Sequence, residues 1–344
     1  MTRLPDGSCR VAIAGASSLR GKELKQVLED RNFPATDFVL LDEVAAAGTL
    51  TEAGGEPSFI RAFAEDSFEG VRFAFFAGSP ESAARDWLTA RRAGATVIDL
   101  SGGLAHEAGS FPWIPALSKL LPPPPPASKN GAPGTAPYSS PATAVLIACS
   151  LVAGLQQFSP VRLAITFYPP VSELDQDGVD ELEAQATSLL SFRPITQAVF
   201  DAQAAFNLLS AFGPGSRTNL AGVRAAIAKG IAQYVDGRAP VPAIQIVQTP
   251  TFYGYAFSCY AEFPAPPDRS AVEAALVCAG MQVAAAGSPP TNVSAAGENR
   301  IQLARVDHDA NVPTALWLWG VADNLRLSAS NAVQIAEELL VIPV

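Results

Sequence analysis

The sequence predicts an α/β protein: a doubly wound parallel sheet domain followed by a domain of α+β type. Three observations carry that prediction. Short, largely apolar runs alternate with helix-spaced segments through the first third of the chain. The first run closes on a glycine turn that opens a helix. Beyond a proline-rich interruption, strand-like runs are separated by long helical segments, and nothing requires them to pair in parallel.

In chain order, Arg10–Ala14 (RVAIA) is the first strand and ends at Gly15. Leu24, Val27 and Leu28 give helical spacing to Gly21–Asp30. Phe38–Leu41 (FVLL), Phe73–Phe76 (FAFF) and Thr96–Leu100 (TVIDL) follow as strands. Strands that are apolar throughout, rather than alternating, belong to a parallel sheet covered on both faces. Ser79 reads as a helix cap with Pro80 at the first helical position. Leu121–Gly134 (LPPPPPASKNGAPG) cannot pair in a central strand and predicts a stiff, extended surface loop. Next comes a helix from Pro141 to about Leu155, with Pro141 in its first turn. Strands are expected at Val161–Phe167, Ala243–Thr249, Tyr253–Phe263 and Thr314–Val321. Helices are expected at Val179–Leu190, Ala271–Ala279 and Ser330–Leu340.

Bulk properties narrow the function classes. Of 344 residues, 49% are hydrophobic and 16% charged, which suits a buried core and two domains rather than one. A net charge of −10 argues against a nucleic-acid partner. No stretch reads as ~20 uninterrupted apolar residues, so no membrane span is expected. The opening MTRLPDGSCRVAIAG lacks a signal peptide's apolar run and cleavage site, and a cytoplasmic location is expected. Cys9, Cys149, Cys259 and Cys278 are scattered without paired spacing, as reduced thiols rather than a disulfide frame or a metal site.

The segment Gly15-Ala16-Ser17-Ser18-Leu19-Arg20-Gly21 joins the first strand to the first helix. A helix N-terminus offers N–H groups and the positive dipole end to a phosphate, and glycines let the backbone approach closely. Gly15 and Gly21 stand at the two ends of a Rossmann-type glycine motif, with Ser18 at its middle glycine. Asp42, followed by Glu43, closes the second strand, where a carboxylate can take a ribose 2′-hydroxyl and repel a 2′-phosphate. No Arg or Lys follows until Arg61, so of NAD and NADP, NAD is favoured. Leu19, Ser17, Gly78 in the next strand–helix turn, Ser101, and Asn324 before the last helix complete the expected cofactor contacts.

Several segments resemble the aspartate-semialdehyde dehydrogenase family. VAIAGASSLRGKELKQVLEDRNFP looks like its opening, and FAGSP and VIDLSGG like its later cofactor-domain turns. YSSPATAVLIA falls at the nucleophile segment, and DQDGVDELEAQ, TPTFYGYAFSCYAEF and NAVQIAEELL continue in the family's order. TFYPPVSELDQDGVDELEAQ and FRPITQAVFDAQAAFN look nearest to the Usg-type branch. The resemblance implies an NAD(P)-binding domain over 1–137 with 325–344, and a dimerisation and substrate domain over 138–324, in a homodimer. The apolar run TALWLWGV (Thr314–Val321) fits a large buried sheet face or such an interface.

The reaction implied is reductive dephosphorylation of β-aspartyl phosphate by NADPH through a cysteine thioester. A histidine moves protons, an arginine holds the substrate carboxylate, and a glutamine orients the acyl group. Aligned on Thr143, the family's cysteine falls on Pro141, which has no side-chain nucleophile. Its histidine falls on Tyr255, a poor base with an ordinary pKa of about 10. Its arginine falls on Gln248, which carries no charge, and its glutamine on Tyr168. Cys149 lies eight residues beyond Pro141 in an apolar run and reads as a buried structural thiol.

Three functions are weighed. The first is a dehydrogenase-like protein that has lost the family's catalysis and acts by binding. The second is an active NAD(P)-dependent oxidoreductase on an aldehyde or acyl substrate in amino-acid biosynthesis. The third is a serine hydrolase built on Ser139 or Ser140, which would need His106 or His308 as its base.

Overall fold

The computed structural model describes residues 9–105, 107–123 and 136–341. His106 and most of the proline-rich loop lie outside them. The chain divides into two compact units. One comprises Met1–Pro115, Pro123–Ala142 and Ser328–Val344; the other comprises Ala116–Pro122 and Thr143–Leu327.

The first unit carries strands β1 (Cys9–Ala14), β2 (Ala35–Asp42), β3 (Leu50–Ala53), β4 (Glu56–Phe59), β5 (Arg61–Ala62), β6 (Val71–Phe76), β7 (Thr96–Asp99), β8 (Phe111–Pro112) and β9 (Tyr138–Ser139). Its helices are α1 (Leu19–Asp30) and α2 (Pro80–Arg92). Seven strands form a parallel sheet in the order β5-β2-β1-β6-β7-β9-β8. The all-apolar strands have the expected cause. Val11, Ile13, Phe73 and Phe75 face a core completed by Leu24, Val27 and Leu28 of α1 and by Ala332, Val333 and Ile335 near the C-terminus. Ala12, Ala14, Ala74 and Phe76 face a second core completed by Ala83, Trp87 and Ala90 of α2. The sheet runs past the expected boundary at 137, because β9 pairs with Ile98 and Asp99 of β7. β3 and β4 form a separate hairpin that the sequence reading did not include. Its turn rests on Gly54 and Gly55, both at positive φ.

The second unit contains α3 (Thr143–Leu155), β10 (Arg162–Tyr168), α4 (Asp175–Leu190), α5 (Leu220–Val235), β11 (Ala243–Ile246), β12 (Tyr255–Glu262), α6 (Arg269–Cys278), β13 (Gln282–Val283), β14 (Gln302–Leu303), β15 (Asp307–His308) and β16 (Ala315–Ala322). Its mixed sheet runs β11-β10-β12-β16-β14-β13, with β15 also on β16. β10 and β12 alternate buried and half-buried residues, the mark of a sheet with one covered face. Every residue of α3 is buried. Gly154 of α3 lies against Leu276 of α6, and Gly230 of α5 against Val145 of α3. The final helix, α7 (Asn324–Val341), contributes residues to both units.

Several boundaries differ from expectation for local reasons. α3 begins at Thr143, so Pro141 precedes the helix instead of sitting in its first turn. The chain still follows β9 up to Ser140, whose N–H donates to the Asp99 carbonyl at 2.8 Å. α4 begins at Asp175, ahead of the expected Val179, with Asp175 and Asp177 in its first turn. α5 was not expected at all; Asn219 caps it, accepting from the Gly222 N–H at 2.6 Å. Its Ala/Gly-rich sequence buries only a thin apolar stripe. α7 starts six residues before the expected Ser330, because Asp323 accepts from the Arg326 N–H at 2.9 Å and caps the first turn. β11 stops at Ile246 as the backbone at Gln248 leaves to pair with Leu209. Gly254, at φ +88, delays β12 to Tyr255.

Candidate functional site

The turn from β1 into α1 is built on close backbone contact. Gly15 has φ +86, and a Cβ there would lie 2.2 Å from the Gly78 nitrogen. A Cβ on Gly21 would lie 2.1 Å from the Gly15 carbonyl oxygen. Both terminal glycines are thus required by packing, and a Cβ on Gly78 after β6 would lie 3.1 Å from the Gly15 Cα. Ser18, at the middle glycine position, is the helix cap. Its Oγ accepts from the Gly21 N–H at 2.9 Å and lies 2.8 Å from the Gly15 carbonyl and 3.1 Å from that of Ala77. The serine side chain is folded into the turn, and Leu19 opens the helix beyond it.

Asp42 braces this loop. Its Oδ2 accepts from the Ser17 N–H at 2.7 Å and its Oδ1 from the Glu43 N–H at 2.8 Å. Beside it, Glu43 meets Arg85 of α2 at 2.8 Å. The sequence placed the nearest cation at Arg61; folding supplies one from 42 residues away. At the end of β7, the fully buried Asp99 accepts from the Ser101 N–H (2.8 Å), the Ser101 Oγ (2.6 Å) and the Leu104 N–H (3.0 Å). Burial pushes the Asp99 carboxyl up, opposed by those hydrogen bonds and by Arg20. Ser101 is therefore held by the acid beneath it.

Ser140 and Pro141 are both buried. Ser140 Oγ donates to the Ser328 carbonyl at 3.0 Å and accepts from Asn331 Nδ2 at 3.0 Å. The hydroxyl is spent on the C-terminal helix, which removes the observation behind the serine-hydrolase reading. His308 is exposed on β15.

In the second unit, Tyr255 opens β12 at 2% exposure and packs edge-on against Phe167, with ring centroids 5.7 Å apart. Burial, aided by the Glu173 carboxylate, pushes its hydroxyl well above the ordinary tyrosine range. Tyr255 is thus a neutral group under physiological conditions. Gln248 is buried, and its Nε2 donates to the carbonyls of Pro169 (2.9 Å) and Thr249 (3.0 Å). Tyr168 ends β10, with its ring centroid 6.1 Å from that of Trp319 and the two rings tilted by 44°. Asn324 is buried: its Nδ2 donates to Ser172 Oγ (3.1 Å) and Glu173 Oε1 (2.9 Å), and its Oδ1 accepts from the Gly254 N–H (3.2 Å). Its carbonyl accepts from Thr143 Oγ1 at 2.6 Å. Polar groups that the sequence reading did not connect thus form one internally bonded cluster.

The four cysteines are free thiols. Cys9, Cys149 and Cys259 are buried, and burial raises each above the ordinary thiol range; Cys278 is exposed. Among the described residues no group of three His, Cys, Asp or Glu could hold a metal ion. No described helix is long and apolar enough to cross a membrane.

Comparison with known proteins decides the family. The model for semialdehyde dehydrogenase, NAD binding domain, matches residues 10–142, and that for semialdehyde dehydrogenase, dimerisation domain, matches residues 152–327. This chain belongs to the semialdehyde dehydrogenase family. A USG-1 protein homolog of Azotobacter vinelandii is 32% identical over 334 residues, covering 96% of this chain and 97% of its own. Aspartate-semialdehyde dehydrogenase 2 of Vibrio cholerae is 27% identical over 340 residues, covering 96% and 97%. The structure of a probable aspartate-semialdehyde dehydrogenase from Pseudomonas aeruginosa superposes with a TM-score of 0.84 at 29% identity, covering 97% of this chain and 99% of that one.

The first unit matches the family's NAD binding domain. Ligands of doubly wound sheets sit at the carboxyl ends of the strands where the strand order reverses. Here that point lies between β1 and β6, and Gly15–Gly21 and Gly78 stand at it. Glu173, Ser172 and Arg85 were missed in sequence. Each acquires its neighbour across at least 40 residues, and no local spacing encodes that.

Proposed function

We propose that this semialdehyde dehydrogenase family member acts by binding, with NAD as its nucleotide, and has lost thioester catalysis. The observation that carries the reading is Pro141 at the nucleophile position. It is buried, and the three buried thiols are all pushed toward their protonated form. The neutral, packed Tyr255 and the uncharged Gln248 support it, since they supply neither a base near neutral pH nor a cation for a substrate carboxylate.

The strand–turn–helix that would hold a dinucleotide fits one: the glycine contacts are intact and the Ser18 side chain is withdrawn into the cap. Gly15, Ser17, Ser18, Leu19 and Gly21 would form the turn beneath the pyrophosphate at the N-terminus of α1, with Gly78 and Ser101 in the neighbouring turns. A bound nicotinamide would supply a hydride acceptor, and here it serves as a recognised ligand. Asn324 enters this reading as the anchor of the α7 start, through Ser172, Glu173 and Gly254.

The partner is a second copy of this chain. The open face of the second sheet presents Tyr260 and Trp317 with ring centroids 5.1 Å apart, beside Tyr168 and Trp319. Trp317 and Trp319 are 44% and 40% exposed. An aromatic sheet face of this kind suits a self-complementary interface, and the dimerisation-domain match supports it.

The test is oxidation of aspartate semialdehyde in phosphate buffer with NAD or NADP. No turnover above background is expected; a rate near 1 s⁻¹, ordinary for enzymes, overturns the reading.

A further inference from the structure

We infer that Glu43, Arg85 and Asp86 form a charge device that sets NAD above NADP. The inference rests on the nucleotide reading above. A ligand at the carboxyl ends of β1 and β2 places its adenosine ribose near the end of β2. Asp42, the carboxylate expected there, already accepts backbone N–H groups from Ser17 and Glu43 on both oxygens. It is a brace of the loop. The groups that face outward are its neighbours.

Arg85 lies in the second turn of α2, the helix that follows β6. Its Nη2 reaches Glu43 Oε1 at 2.8 Å and Asp86 Oδ2 at 2.7 Å, and its Nε reaches both Asp86 oxygens at 3.1 Å. The guanidinium lies 6.0 Å from the Phe63 ring centroid. This bridge joins the element after β6 to the end of β2, on either side of β1 in the sheet. A lone arginine here would attract a 2′-phosphate through bidentate hydrogen bonds. This arginine is already matched twice. Two carboxylates, Glu43 and Asp86, pair with the one guanidinium, so the position is net negative. A ribose 2′-hydroxyl can donate to Glu43, whereas a 2′-phosphate meets like charge and must displace Glu43 from Arg85.

The pairs are surface pairs, with Arg85 and Glu43 side chains 54% and 55% exposed. They therefore hold the arginine weakly, and salt screens them. The preference is thus set by the local charge count and can be moved by one substitution.

Calorimetric titration of the full chain with NAD and with NADP tests this, with Glu43→Gln and Glu43→Gln/Arg85→Ala beside the wild type. The wild type is expected to bind NAD more tightly, with a preference that narrows as salt is raised. Glu43→Gln should strengthen NADP binding about tenfold, the order of one unit charge at this range, and change NAD affinity less than about threefold. Adding Arg85→Ala should abolish the NADP gain. An unchanged NADP:NAD ratio in Glu43→Gln, or a gain that survives loss of Arg85, overturns the charge device and leaves nucleotide binding standing. Absence of binding by either nucleotide to wild type and variants overturns the nucleotide reading and this one with it.

Discussion

At the residue scale, the proposed loss of thioester chemistry rests on four positions: Pro141, Tyr168, Gln248 and Tyr255. On that proposal a proline stands where the family carries its cysteine, and a sulfur restored alone is not expected to give activity. Pro141→Cys is expected to show no turnover above the wild-type background in a semialdehyde–NADP assay, because Gln248 gives no cation and Tyr255 is held neutral by burial. The native thiols report the same environment. Titration of the folded protein with a chromogenic disulfide at pH 8 is expected to modify Cys278 alone of the four, with Cys9, Cys149 and Cys259 reacting only after denaturation. Gly15 is the most constrained residue of the nucleotide turn. Gly15→Ala adds a Cβ 2.2 Å from the Gly78 nitrogen at φ +86. It is expected to cost at least about 2 kcal/mol in urea unfolding, from left-handed strain plus the displaced β6–α2 turn.

At the element scale, α4 organises the chain that follows it. Glu181 and Gln185 are buried one helical turn apart. Glu181 accepts from the Val199 and Phe200 N–H groups. Gln185 donates to the carbonyls of Thr196 (2.7 Å) and Ala202 (3.0 Å), and its Oε1 accepts from the N–H groups of Ala204 (2.7 Å) and Ala205 (3.1 Å). Gln185→Leu would leave those backbone groups without partners, at about 1–3 kcal/mol each. The expected result is loss of hydrogen-exchange protection across 196–205, with overall destabilisation of at least about 3 kcal/mol. Full protection retained there would show that the loop is held by something else. This clamp was invisible in sequence, because an acid and an amide at i and i+4 read as a solvated helix face. The cap at Ser79 with Pro80 behind it was legible, since its chemistry is local: Ser79 Oγ accepts from the Ser82 N–H at 3.1 Å.

At the scale of the whole molecule, the proposed assembly rests on the second sheet. Tyr168, Tyr260, Trp317 and Trp319 form an aromatic face on β10, β12 and β16, and Trp317 and Trp319 are the only tryptophans of that unit. Trp317→Glu/Trp319→Glu is expected to convert a dimer to a monomer in sedimentation velocity, because charges at the centre of an interface leave carboxylates buried. A double variant that sediments as the wild type places the interface elsewhere.

What the sequence by itself determined is whatever rests on neighbours along the chain. Continuous, largely apolar runs implied a sheet covered on both faces, and the two cores around Val11/Ile13 and Ala12/Ala14 have that form. The glycine turn, the Ser79 cap and the absence of a cysteine between Cys9 and Cys149 were equally plain. Tertiary structure alone decided everything that depends on distant partners. Arg85 arrives at Glu43, Glu173 at Asn324 and Tyr255, and Ser140 is taken by Ser328 and Asn331. The reason is physical: backbone periodicity and capping act within a few residues, whereas the charge around a group and the solvent it loses are set by chain segments that only folding brings together.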